Sequence, residues 1–222
     1  MKPTIYYGVA GEGLGHASRA LALKDQLSAD CHIQFFASGA AYKYLSNQVG
    51  CCAKIPGPSF SYRNGSVSVA DTVRHNLHLI KGVKDSVHDI VQHAKESGDM
   101  PVAVICDFEP VLPRVAHKLG VPLISVDNQH RFSRCRDLDL PCLLTAYAKA
   151  TGSFTEWMVP KPDLTIISCF HAGWFDDQIK EKYQDSTRMV GGFFRESFSS
   201  MSPVRGNHIL AYTCLLYTSP SP

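Results

Sequence analysis

The feature that most constrains this chain is its opening. Residues 4–9, Thr4-Ile5-Tyr6-Tyr7-Gly8-Val9, form a short apolar, β-branched and aromatic run, which reads as a buried strand. A glycine-rich loop follows at once, Gly11-Glu12-Gly13-Leu14-Gly15. Leu14, Ala17, Leu21 and Leu27 then recur at helical spacing, so a helix over 16–27 is expected. Strand, glycine turn and helix in direct succession are the first unit of an α/β sheet. Glycines let the backbone turn sharply and approach a ligand, and the helix start behind them favours anionic groups.

The same alternation continues. Strands are expected at 32–37, 51–55, 102–106, 121–126 and 164–169. Helices are expected at 40–49, 69–96, 110–120 and 138–158. The run Val102-Ala103-Val104-Ile105-Cys106 is uninterrupted and apolar, as in a parallel strand covered on both faces. Together these imply an α/β, doubly wound, mostly parallel sheet. Residues 56–68 have the Pro, Gly, Ser and Asn content of a loop. The length of 222 residues and an apolar content of 45% suit such a domain.

Other classes lose support. A net charge of +2 gives no broad basic footprint for nucleic acid. No apolar run is long enough to span a membrane. The eight cysteines form no CxxC pair and no secretion signal precedes them, so reduced thiols in the cytoplasm are expected, with Cys106 and Cys169 as small core residues. His75, His78, His88 and His93 share the long helix but lack acidic partners, so no metal is expected. A dinucleotide fingerprint would place a glycine where His16 stands and an acid after the second strand. That strand ends Phe36-Ala37-Ser38-Gly39, so NAD is not expected.

The loop Gly11-Glu12-Gly13-Leu14-Gly15-His16-Ala17-Ser18-Arg19 resembles the first loop of GT-B glycosyltransferases. It is similar to the glycine–histidine loop of the bacterial transferase that adds N-acetylglucosamine to peptidoglycan lipid precursors. It is also similar to the Gly-x-Gly-His-x-x-Arg of nucleotide-sugar hydrolases of pseudaminic acid synthesis. The opening 7–16 looks closest to a bacterial and archaeal group of predicted glycosyltransferases, and the resemblance covers about 3–213. It implies a Rossmann-like, acceptor-side domain of GT-B architecture over 1–196. A linker would follow at 197–207, and 208–213 would be the first strand of a donor domain. The run 190–195 resembles the strand leading into that linker. The last nine residues, 214–222, resemble one frame of a transposase-type sequencing adapter. They are expected to be an artefact that cuts off the donor half and leaves the chain inactive alone.

By the same resemblance, His16 faces the cleft as a base that takes the acceptor's proton. A histidine here can equally pack or cap the helix start. Asp107 ends the fourth strand, where ligands gather in open α/β sheets, and it would orient His16. Its rival role is an N-cap for the helix at Pro110. Glu109 is the weaker alternative partner. Gly13, Gly15, Arg19 and Glu109 are expected to bind substrate, as is the cluster Asp127, Asn128, Gln129 and His130 after the fifth strand. That cluster also suits an ordinary Asx turn. Tyr62, Arg63 and Asn64 could contact an acceptor. The implied partners are a nucleotide-sugar donor, which is a substrate and not a cofactor, and a sugar or lipid-linked acceptor. The location implied is cytoplasmic, compatible with peripheral contact at the inner face of the membrane. Rival readings are a nucleotide-sugar hydrolase or epimerase of the same architecture, and a non-catalytic sugar- or nucleotide-binding module.

Overall fold

A computed structural model describes residues 2–63, 66–136, 141–169, 178–202 and 204–207. The chain runs β1 (Thr4–Val9), α1 (Gly15–Leu27), β2 (His32–Ala37), α2 (Gly39–Val49) and β3 (Cys52–Lys54). The hairpin strands β4 (Tyr62–Arg63) and β5 (Ser66–Val67) and helices α3 (Val69–His75) and α4 (Leu79–Ser97) follow. Next come β6 (Ala103–Asp107), α5 (Leu112–Leu119), β7 (Leu123–Asp127), α6 (Arg131–Arg134) and α7 (Cys142–Met158). The described chain closes with β8 (Leu164–Ser168), β9 (Thr187–Val190) and α8 (Glu196–Ser199).

Seven strands form one sheet in the order β3-β2-β1-β6-β7-β8-β9, and every pair in it is parallel. The chain builds outward from β1 to β3, then returns and builds the other way from β6. The order therefore reverses between β1 and β6, which opens a crevice beyond their carboxyl ends. Burying both faces explains the continuous apolar strands. Leu79, Val83, Val87 and Val91 of α4 pack on one face with Leu112 and Val115 of α5 and Met158 of α7. Ala17, Ala20 and Leu21 of α1 pack on the other face with Ala41 and Leu45 of α2.

The structure departs from the sequence reading in several elements. The single helix expected at 69–96 is two, because Asn76 breaks it. Its side-chain amide donates to the Thr72 carbonyl at 2.6 Å and to the Ser59 carbonyl at 2.7 Å, competing with the helical ladder. Leu77 and Ile80, expected on the core stripe, are each 71% exposed as a result. Within the stretch read as pure loop, β4 and β5 pair antiparallel. The edge strand near 190–195 lies earlier, at β9, and Gly191-Gly192 carry the chain off the sheet without side chains to hold it. The region read as a linker opens with α8. Asn64, the helix start at 138–140, the strand-like run 208–213 and the adapter-like run 214–222 lie outside the described residues. No helix among the described residues is long and apolar enough to cross a membrane.

Candidate active site

The site begins with two elements meeting at the crevice. Gly13 adopts φ 76°, a left-handed turn that suits glycine, and lets the chain enter α1. Leu14 precedes α1 without a side-chain cap, and the first turn holds no acidic residue. His16 and Arg19 stand three residues apart, so they share a face of α1. Opposite them, β6 pairs with β1 so that Asp107 lies beside Val9, and the Ala10 amide donates to the Asp107 carbonyl at 3.0 Å. Asp107 is completely buried, while the His16 side chain keeps 14% of its surface exposed.

These residues form a compact ion cluster. His16 Nδ1 lies 2.6 Å from Asp107 Oδ1. Arg19 grips the same carboxylate twice, Nε to Oδ2 at 2.7 Å and Nη2 to Oδ1 at 2.8 Å. A carboxylate only accepts, so Nδ1 carries the hydrogen and the neutral ring's lone pair sits on Nε2. Arg19 Nη2 also lies 3.2 Å from His16 Nδ1. Both are donors in this arrangement, so they share Asp107 instead of bonding each other. Burial works against the Arg19 charge, but Asp107 outweighs it and holds the guanidinium more firmly protonated than usual. Tyr7 is fully buried nearby, and burial pushes its hydroxyl well above the usual range.

Phe108 lies against the imidazole, with ring centroids 6.2 Å apart and planes within 13°. Its φ is 54°, the left-handed region where a side chain costs about 1 kcal/mol or more. Phe154 of α7 meets Phe108 edge-on at 6.1 Å.

Glu109 lies elsewhere. It is fully buried, with Oε2 accepting from the Val111 amide at 2.7 Å and Oε1 from the Leu112 amide at 2.9 Å. It thus takes the capping role that the sequence offered as Asp107's rival. Gly8 makes room for it, since a Cβ there would stand 2.3 Å from Oε1. Burial raises the Glu109 carboxyl to about 7, against the pull of those two amides.

The cluster after β7 splits in two. Asp127 and His130 are fully buried, with His130 Nδ1 2.6 Å from Asp127 Oδ2. Asp127 also accepts from Ser125 Oγ at 2.6 Å and from the His130 amide at 2.8 Å. Burial pushes Asp127 up, but His130 and these hydrogen bonds outweigh it and hold the carboxyl below its ordinary value. Strand alternation puts Ser125 and Asp127 on the face of Leu123, whereas Asp107 shares the opposite face with Ile105. Asn128 instead reaches the crevice and donates to the Ser168 carbonyl at 2.7 Å. Gln129 accepts from the Asn128 amide at 3.1 Å.

A cavity of about 440 Å³ opens at this sheet edge. Gly15, Ser18 and Arg19 form one wall, Asn128 and Arg131 another, and Ser168, Cys169 and 192–194 a third. Gly15, Arg19 and Asn128 were legible candidates for it. Ser168 and Cys169 were missed, although Ser168 ends β8 as Asp107 ends β6 and Cys169 follows it, so the strand-end rule applies to both.

Such a sheet, with its reversal and its polar crevice, defines a Rossmann-like α/β domain of the kind that builds GT-B proteins. The chain belongs to glycosyl transferase family 1, whose family model matches residues 3–220. No protein of curated function matches it in sequence. Among solved structures it is similar to Arabidopsis thaliana UGT89C1 complexed with quercetin, at 15% identity and a TM-score of 0.58, covering 88% of this chain and 51% of that one. It is also similar to a Polygonum tinctorium UDP-glucosyltransferase capable of glucosylating indoxyl, at 13% identity and a TM-score of 0.55, covering 93% and 56%. A third is Phytolacca americana UGT2 complexed with UDP-2fluoro-glucose and pterostilbene, at 13% identity and a TM-score of 0.54, covering 89% and 56%. At these identities the likeness speaks for the fold, and the chain spans about half the length of each.

Proposed function

We propose that this chain is the acceptor-side half of a glycosyltransferase that moves a sugar from a nucleotide-sugar to an acceptor hydroxyl. His16 is the general base and Asp107 its orienting partner. One observation carries the reading: the 2.6 Å contact of His16 Nδ1 with buried Asp107 fixes the tautomer and leaves Nε2 as the acceptor of a proton. As the sugar's bond to the nucleotide breaks, the acceptor oxygen attacks the anomeric carbon and His16 takes its proton. Asp107 then stabilises the imidazolium.

The family and the site's place at the crevice support this. The matched UGT89C1 has been solved with UDP-L-rhamnose, at a TM-score of 0.53, which fits a nucleotide-sugar donor. An apolar acceptor moiety fits too. Leu143 and Tyr147 lie on the helical stripe of Phe154, and both are largely exposed. The acceptor class remains a sugar or lipid-linked hydroxyl compound with such a moiety. Because the matched structures are twice as long, we assign most donor contacts to a second half. The chain alone should then bind a UDP-sugar no tighter than about millimolar, roughly −4 kcal/mol. Calorimetry giving micromolar affinity would contradict that division.

The test is sugar turnover by a protein that joins this half to its donor half. His16→Ala should lower turnover about 10²- to 10⁴-fold. Product analysis separates the rivals: transfer to acceptor supports the proposal, free sugar without acceptor marks a hydrolase, and an altered nucleotide-sugar marks an epimerase. No turnover at all would mark a binding module.

A further inference from the structure

We infer that Arg19 is a positioning residue that keeps His16 neutral by supplying the counter-charge of Asp107, and that it is not primarily a contact for substrate. The inference rests on the reading of His16 as the base. Its observations are the two Arg19 contacts to Asp107 at 2.7 and 2.8 Å and the 3.2 Å approach of Nη2 to His16 Nδ1. The Arg19 side chain is only 15% exposed and Asp107 is not exposed at all, so water screens the cluster little.

Consider the pair without the guanidinium. A buried carboxylate beside an imidazole favours the imidazolium, because that ring is then its only counter-ion. An imidazolium has no lone pair and accepts no proton. With Arg19 in place, Asp107 is already neutralised by a forked, permanently charged partner. A second positive charge on the ring would stand close to Nη2 and be opposed. The ring therefore stays neutral, Nδ1–H points at Asp107, and Nε2 remains a base. The other groups facing the cluster do not undo this. Tyr7 on β1 is buried and held protonated. Asp127 on β7 reaches Arg19 only weakly, and from across the sheet. Phe108 presents an uncharged ring.

The spacing of His16 and Arg19 gives this arrangement a simple origin. One turn of α1 places both side chains over the end of β6, so a single buried aspartate serves both. An arginine turned outward would leave Asp107 with the imidazole alone.

The test is the protonation of the His16 ring, followed by ¹H–¹⁵N NMR across pH in the 222-residue chain and its R19Q and R19K variants. R19Q should move the pH of half-protonation up by about one unit or more, a tenfold or greater gain in proton affinity. R19K, with a charge but no fork, should move it less, in the same direction. Amide spectra report whether each variant is folded, and R19K decides the matter if R19Q is not. An unchanged midpoint in a folded variant overturns the inference. The reading of His16 as base is tested separately by His16→Ala turnover. Loss there with no shift here removes Arg19's role and leaves the base in place. A shift here with no loss there keeps the charge clamp and removes the base.

Discussion

Among the described residues, two aspartate–histidine pairs share the same 2.6 Å contact to Nδ1 and a buried aspartate at a strand end, yet their surroundings differ. His16 and Asp107 are 91 residues apart, come from a helix start and a strand end, and meet at the open crevice. Asp127 and His130 are three residues apart within one turn, and neither has any exposed surface. In the first pair an arginine shares the carboxylate. In the second, a serine and a backbone amide do. His130 Nε2 meets no hydrogen-bond partner among the described residues. Contact distance thus does not mark a reacting pair. Of the two rings, the one with surface exposed is His16, and the proposed role rests on that access. The sealed pair fixes the turn that presents Asn128 and Arg131 to the cavity.

The comparison can be broken by stability as well as by turnover. Asp127→Ala would strip a buried histidine and a buried amide of their partner. We expect a loss of about 3–5 kcal/mol in denaturant unfolding. His16→Ala should cost no more than about 1 kcal/mol, because its ring stands at the crevice edge. Similar losses from both variants would erase the distinction. Acid sharpens it. Asp127 is held low in the fold, so its contribution is present above the ordinary aspartate range and is lost as pH falls through the folded value.

Glu109 should show the opposite sign. Its folded value of about 7 lies above the ordinary 4.5, so the folded state binds the extra proton. Stability should therefore fall as pH rises from about 4.5 to about 7, by roughly 3 kcal/mol in all. Glu109→Gln should flatten that slope, and urea melts at pH 5 and pH 7.5 would show it. An unchanged slope would mean the carboxyl does not titrate there. A more modest effect than at Asp127 or Glu109 is expected at Gly8→Ala, where the new Cβ presses on Glu109 Oε1. A loss of about 1–3 kcal/mol in thermal or urea unfolding is expected, and a neutral result would mean that Glu109 moves aside.

Much of the fold was legible because its signals are local. The apolar runs of β1 and β6 and the helical spacing in α1 need no distant information. The break between α3 and α4 was hidden, because Asn76 ends the helix through Ser59, a partner seventeen residues away. At the site, the strand-end rule placed Asp107 beside the glycine loop. It also grouped Asp127 and His130 with Asn128, because a strand end alone does not say which face a side chain takes. Leu123, Ser125 and Asp127 share one face, and that alternation turns Asp127 to the side of the sheet away from His16. Nothing in the sequence distinguished an Arg19 aimed at a ligand from one folded back on Asp107, because both rotamers leave the same helix.

The central claim is that His16 and Asp107 act as one unit, and a double-mutant cycle on turnover tests it most directly. His16→Ala, Asp107→Asn and the double variant are compared in a protein joining this half to its donor half. If the pair is a unit, Asp107→Asn lowers turnover in the presence of His16 and adds almost nothing once His16 is gone. Losses that multiply in full would show two independent residues and contradict the account.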